Sequence, residues 1–123
     1  MKTALIIEDN QDNMVLITRL LEKAGYRSLQ AETGMQGFEM AIQNKPDFIL
    51  LDIQLPDMNG VEVLTKIRAV ESCTGIPIIA ITSYAMAGDR AKLLSNGCNG
   101  YIEKPIDPGQ IINQIKSLIG ETV

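Results

Sequence analysis

Apolar residues in this chain follow two alternating rhythms. Continuous runs mark the first: Thr3-Ala4-Leu5-Ile6-Ile7, then Phe48-Ile49-Leu50-Leu51 after Pro46, then Ile76-Pro77-Ile78-Ile79-Ala80-Ile81. Short, apolar and often β-branched, such runs predict strands buried on both faces of a sheet. Two weaker stretches, Arg27 to Ala31 and Gly100-Tyr101-Ile102-Glu103, predict shorter strands, the former at an edge. Strands are thus expected near residues 3–8, 27–31, 47–51, 76–81 and 100–103.

Between the runs the spacing becomes helical. Met14, Ile17, Leu21 and Ala24 share one face of a period of about 3.6 residues, with Asn10 as cap and Gly25 as stop. Thr33 caps a second helix with Phe38, Ala41 and Ile42 inward, and Pro46 forbids its continuation. Asn59-Gly60 begins a third, with Val61, Leu64 and Ile67 inward. Ala85 to Asn96 predicts a fourth, closed by Gly97. Asp107-Pro108 reads as an N-cap and first-turn proline before a fifth helix carrying Ile111, Ile112, Ile115, Leu118 and Ile119. Strand and helix alternate throughout, with short connections and no linker, repeat or low-complexity segment. Right-handed crossovers then imply an α/β fold, a doubly wound, five-stranded parallel sheet with helices on both faces. Ligands of such a fold bind at the strand ends, beside the reversal of strand order. Residues 1–123 are expected to form one domain.

Composition narrows the chemistry. Hydrophobic residues at 46% and charged residues at 21% are the balance of a soluble globular chain. No apolar run approaches membrane-spanning length and no signal peptide opens the chain, so a cytoplasmic protein without membrane contact is expected. A net charge of −4 argues against a nucleic-acid surface. With no histidine, imidazole catalysis and histidine-based zinc sites are excluded. Cys73 and Cys98 match no metal spacing and read as reduced thiols, and the six methionines as core filler.

The inner strands end in unusual residues. The first gives way to Glu8-Asp9, the central one to Asp52, the fourth to Thr82 and the fifth to Lys104-Pro105. In a parallel sheet all these ends lie on one edge. Three carboxylates together repel and raise one another's pKa, a conflict that a divalent cation resolves. Oxygen-only ligation with room for water suits Mg²⁺, with Mn²⁺ as a substitute. The dication and the Lys104 ammonium balance the three acids, leaving a site that can receive a phosphoryl group. Asp52 then supplies a nucleophilic carboxylate, Lys104 neutralises phosphoryl oxygens, and the Thr82 hydroxyl hydrogen-bonds one of them after transfer. Without a glycine-rich phosphate loop or nucleotide pocket in the sequence, the phosphoryl donor must bring itself.

These residues carry a resemblance over essentially the whole chain. Ile7-Glu8-Asp9-Asn10, Leu51-Asp52-Ile53-Gln54-Leu55-Pro56-Asp57-Met58-Asn59-Gly60, Ile81-Thr82-Ser83 and Tyr101-Ile102-Glu103-Lys104-Pro105 resemble a response-regulator receiver domain of two-component signalling, with Glu-Asp in place of Asp-Asp as the acid pair. The resemblance implies a CheY-like, flavodoxin-like strand order of 2-1-3-4-5. It implies that Asp52 accepts phosphate from a phosphohistidine of a sensor histidine kinase or phosphotransfer protein. It implies Mg²⁺ on Asp9, Asp52 and the Gln54 carbonyl, with Glu8 acting mainly through water. Thr82 and Tyr101 would be a switch pair, Lys104-Pro105 a cis peptide, and the face of the fourth helix, fifth strand and fifth helix the surface read by a downstream protein. The chain would be a monomer or a phosphorylation-dependent dimer. Ser83 would leave the Tyr101 ring room to turn, and Gln54 and Tyr84 would tune water access. Ile53-Gln54-Leu55-Pro56 and Thr82-Ser83-Tyr84-Ala85-Met86 are most similar to DivK-type single-domain regulators and hybrid-kinase receivers.

Each residue also has a plainer role: Glu8-Asp9 favouring a helix dipole, Asp52 capping a turn, Thr82 and Tyr101 packing, Lys104 solvated. Their conjunction, in this order and spacing, decides for the site. Against an aspartyl-phosphate phosphatase of the haloacid-dehalogenase type, Gln54 stands where a second Asp would act as acid/base. Against a flavodoxin-like FMN binder, Glu8-Asp9-Asn10 would repel phosphate. A receiver cut from a longer protein stays open, with Gly120-Glu121-Thr122-Val123 as an exposed tail.

Overall fold

A computed structural model describes residues 1–83 and 87–121, the side chains of 87–89 excepted. Its strands are β1 (Thr3–Ile7), β2 (Arg27–Ala31), β3 (Phe48–Asp52), β4 (Ile78–Thr82) and β5 (Gly100–Glu103). Its helices are α1 (Gln11–Lys23), α2 (Gly34–Asn44), α3 (Gly60–Arg68), α4 (Ala87–Ser95) and α5 (Ile111–Ile119). The strands pair in parallel in the order β2-β1-β3-β4-β5. Strand order therefore reverses at β1 and β3; Glu8 directly follows β1, and Asp52 ends β3.

Helix starts obey the expected side-chain logic. Asn10, Thr33 and Asn59 each accept a backbone N–H of the first turn, from Asn13 (2.9 Å), Gln36 (3.1 Å) and Glu62 (3.0 Å). Gly25 comes after α1 at φ 94°, a conformation glycine adopts without a Cβ penalty.

Several boundaries differ from expectation, each for a physical reason. β3 takes in Asp52, which pairs with Ile81, while Asp47 stays outside and accepts the Thr3 N–H at 2.7 Å. β4 begins at Ile78, because Pro77 has no N–H for the ladder and offers only its carbonyl, to Ile49. It runs on to Thr82. Asp107 caps a turn rather than α5: its Oδ1 accepts the Gly109 N–H at 2.9 Å, and the helix starts at Ile111 behind Gln110. A 3-10 turn, Glu71–Cys73, has no counterpart in the sequence pattern. Val63, not Val61, joins Leu64 and Ile67 in the fully buried face of α3. The methionines are not uniformly core filler: Met14 is buried, but Met35 is 42% exposed. Glu121 is tied down, bonded to Tyr26 Oη and to Lys2 Nζ, so this part of the tail is not free. Tyr84, Ala85, Met86, Thr122 and Val123 lie outside the described residues.

Strand alternation sorts the core into two layers. Leu5, Ile7, Ile49, Leu51, Ile78 and Ala80 face α2, α3 and α4. Ala4, Ile6, Phe48, Leu50, Ile79, Ile81 and Ile102 face α1 and α5. Each fully buried Leu, Ile or Phe contributes about 1.5–3 kcal/mol, so both layers are needed to hold the sheet. Among the described residues no helix is long and apolar enough to cross a membrane.

Candidate functional site

The same alternation places the polar residues at the strand ends. Glu8 continues the parity of Ala4 and Ile6, Asp52 that of Phe48 and Leu50, and Lys104 that of Ile102. These three share the α1/α5 side of the sheet. Thr82 continues the parity of Ile78 and Ala80 and lies on the α2–α4 side, as does Tyr101, which pairs with Ala80 and packs against that layer.

Among the described residues the buried polar or charged side chains are Glu8, Asp52 and Thr82, each less than 5% exposed. Asp52 is held from two sides: the Gln54 N–H donates to its Oδ1 at 3.0 Å, and Lys104 Nζ lies 3.2 Å from its Oδ2. Lys104 Nζ also lies 3.9 Å from Glu8 Oε1. Neither Glu8 oxygen has a hydrogen-bond partner among the described residues. Burial, then the adjoining Asp52 carboxylate, push the Glu8 carboxyl up to about 7, against the opposing pull of Lys104. A buried acid without donors is costly unless something outside the chain satisfies it. Glu8, Asp9 and Asp52 each offer a carboxylate oxygen, all within 4.8 Å of one another, and Asp9 is exposed. The buried, donor-free Glu8 oxygens beside an open Asp9 fit a hard dication that keeps some of its water.

The loop between β3 and α3 is tightly closed. The Gly60 N–H reaches the Ile53 carbonyl at 2.7 Å, and Gln54 forms an isolated antiparallel bridge with Asn59. Gln54 lies beside Asp52 with its side chain exposed. The Lys104–Pro105 peptide is cis, and Ser83 is exposed. Arg90 stacks over Tyr101, 5.0 Å from the ring centroid, and pairs with Glu103 at 2.8 Å. Two hollows flank the carboxylates. One, of about 410 Å³, lies over Lys104 and is lined by Asn13, Leu16, Ser83, Pro105 and Ile106. The other, of about 470 Å³, lies between the β3–α3 loop and α4, with Gln54, Thr82 and Leu93 in its wall. Arg90 and Asn13 escape sequence reasoning, since an arginine or asparagine on a helix carries no signal of what it will face.

Known proteins are similar to this chain in sequence and in fold. The polar-differentiation response regulator DivK of Brucella ovis is 40% identical over 120 residues, covering 98% of each chain. The receiver domain of sensor histidine kinase PA1611 from Pseudomonas aeruginosa PAO1 is 34% identical with a TM-score of 0.88, over 98% of each chain. That structure has a magnesium ion coordinated in its active-site cleft. The chemotaxis protein CheY4 of Vibrio cholerae, at 22% identity and covering 96% of this chain and 98% of its own, shares the fold with a TM-score of 0.91. Residues 4–116 match the family model described as the response regulator receiver domain, so the cluster of acids and lysine at one sheet edge is found in a chain that belongs to the receiver-domain family of two-component signalling.

Proposed function

We propose that the Asp52 carboxylate accepts a phosphoryl group from a phosphohistidine of a sensor histidine kinase or phosphotransfer protein, and that the chain thereby changes its affinity for a partner protein. One observation carries this: a buried carboxylate, an ammonium 3.2 Å from it and a second buried carboxylate whose oxygens accept no hydrogen bond among the described residues meet at one sheet edge. An Asp52 oxygen attacks phosphorus as the P–N bond to the donor imidazole breaks. The Gln54 N–H orients the attacking carboxylate, and Lys104 balances charge on the phosphoryl oxygens. Glu8, Asp9, Asp52 and the Gln54 carbonyl would hold Mg²⁺, or Mn²⁺ in its place, with Glu8 mainly through water. The bound dication would neutralise transferring phosphoryl oxygens.

After transfer, the Thr82 hydroxyl bonds a phosphoryl oxygen, and Tyr101, on the same sheet side, takes up the change, with Ser83 leaving the ring room. The face formed by α4, β5 and α5 then presents a different surface to a downstream protein. The chain turns over no metabolite; it promotes only its own phosphorylation and dephosphorylation. Residues 1–123 act as one domain, a monomer or phosphorylation-dependent dimer in the cytoplasm, without nucleic-acid or membrane contact. Its buried free thiols, Cys73 and Cys98, are in keeping with a reducing compartment.

The test is intact-mass measurement after incubation with acetyl phosphate and Mg²⁺. One added phosphoryl group, labile to hydroxylamine and absent in Asp52→Asn, is expected. Phosphate retained by Asp52→Asn overturns the assignment.

A further inference from the structure

The loop just after Asp52 is anchored at its tip to a distant helix. Both Asp57 carboxylate oxygens accept backbone N–H groups, from Gly34 at 2.8 Å and Met35 at 3.0 Å. These are the first residues of α2, donors that a helix start leaves without intrahelical partners. Thr33 accepts the next, from Gln36 at 3.1 Å, so two side chains from different parts of the chain share one helix start. The backbone N–H bonds hold the Asp57 carboxyl below the usual aspartate range.

The approach is close. A Cβ at Gly34 would lie 2.7 Å from Met58 Cγ and from Val63 Cγ2, so the loop and the start of α3 pack directly on the glycine. At the base of the loop a Cβ on Gly60 would lie 2.5 Å from Ile53 Cα. The segment carrying Gln54 is therefore clamped at its base by Ile53–Gly60 and Gln54–Asn59, and at its tip by Asp57. Pro56, with its fixed φ, lies between Gln54 and Asp57.

Gln54 is the residue whose backbone the site uses twice: its N–H orients Asp52 and, in the function proposed above, its carbonyl faces the cation. We infer that Asp57 is a positioning residue for the cation and phosphoryl site, holding the Gln54 backbone in register with Asp52 by anchoring the loop to α2. The inference rests on that proposed site. Asp57 touches neither the phosphoryl group nor the metal; it acts through the backbone.

The experiment is calorimetric titration of the whole chain with Mg²⁺, alongside the rate of phosphoryl uptake from acetyl phosphate. Asp57→Ala is expected to weaken Mg²⁺ binding by about tenfold, the low end for loss of an outer-shell support. Uptake should slow in proportion. Asp57→Asn keeps one acceptor oxygen and should fall between; it also carries the test if Asp57→Ala does not fold. A merely structural cap would lower the metal-free melting temperature and leave the Mg²⁺ Kd unchanged. Wild-type binding equalled by both variants overturns the positioning role alone. A wild-type chain with no Mg²⁺ affinity overturns the site and the positioning role together.

Discussion

Lys104 reaches Asp52 across an intervening strand. Its Nζ lies 3.2 Å from Asp52 Oδ2, although β4 separates β3 from β5. The contact is possible because both residues project to the α1/α5 side, Asp52 from the last pair of β3 and Lys104 from just past the end of β5, with Ile81 between them paired to Asp52 and Ile102. Lys104→Ala removes the ammonium that lies against the Asp52 carboxylate. Phosphoryl uptake should fall by about a hundredfold, as for loss of one preorganised donor to a developing charge. Lys104→Arg should recover little, because a planar fork does not replace a compact ammonium at one oxygen. Single-turnover uptake measured by intact mass checks this, and equal rates in Lys104→Arg and wild type would contradict it.

Metal linkage gives a second measurement. A cation that binds the folded chain and not the unfolded one stabilises by about 2.7 kcal/mol at a hundredfold excess over Kd. For a domain of this size that is a rise of roughly 10 °C in Tm. Asp9→Asn should lose most of the rise while leaving the metal-free Tm near wild type, since Asp9 is exposed. A wild-type Tm indifferent to Mg²⁺ would remove the cation from the site.

Asp57 predicts an acid-range dependence of stability. Its folded pKa lies below the ordinary value, held down first by the Gly34 and then by the Met35 N–H. Its contribution is therefore complete above the unfolded pKa of about 4 and is lost as pH falls through the folded value. Urea midpoints of wild type and Asp57→Asn should differ above pH about 5 and converge toward pH about 2. A constant difference across that range would show that the charge is irrelevant.

Arg68 anchors the opposite end of the molecule. Its guanidinium donates to the carbonyls of Gly97 (2.9 Å), Cys73 (2.9 Å) and Thr74 (3.2 Å), and to Asn99 Oδ1 (2.8 Å), which itself accepts the Ile78 N–H. One side chain thus joins the end of α3, the 3-10 turn and the approach to β5. Arg68→Met should cost about 2–3 kcal/mol in a urea titration, because carbonyls lose a charged donor. Arg68→Lys should not rescue it, since one ammonium cannot reach four acceptors. Phosphoryl uptake by the folded fraction should be unchanged.

Tyr101 gives the prediction for the proposed switch. Thr82 and Tyr101 occupy adjacent strands on the same sheet side, offset diagonally, Thr82 pairing with Glu103 and Tyr101 with Ala80. A charge-assisted bond from the Thr82 hydroxyl to a phosphoryl oxygen contributes about 1.5–3 kcal/mol, enough for a population shift approaching a hundredfold. Tyr101→Ala should bind the phosphate mimic beryllium fluoride normally, yet lose the mimic-dependent change in amide exchange of α4. A full wild-type change in Tyr101→Ala would assign the ring to packing alone.

The strand ends were legible because a carboxylate or lysine after an apolar run breaks a strong pattern. Asp52 after Phe48-Ile49-Leu50-Leu51 announces itself in this way. Which face of the sheet each residue takes was not legible: strands apolar at every position carry no inside-outside contrast, and both faces here are buried. The Asp57 tie to Gly34 and the four bonds of Arg68 were equally hidden. Such contacts span 22 to 31 residues for Asp57, Gly97 and Asn99, and no period relates their partners. The turn at 107–110 misled because Asp-Pro has the same composition whether it caps a helix or the turn before it.

The division of the sheet into two layers also bears on how such a chain can change over generations. Ile79 and Ile81 answer to α1 and α5, Ile78 and Ala80 to α2, α3 and α4. Leu64 and Ile67 lie in the α2–α4 layer whereas Asp52 projects to the α1/α5 side, so a repacking of these two reaches Asp52 through the backbone of β3 and β4. A library randomised at Leu64 and Ile67 should therefore keep phosphoryl uptake in its well-folded members, and loss of uptake there would refute that independence. The two layers can then vary with a measure of independence, except along α4, β5 and α5, where one surface draws on both.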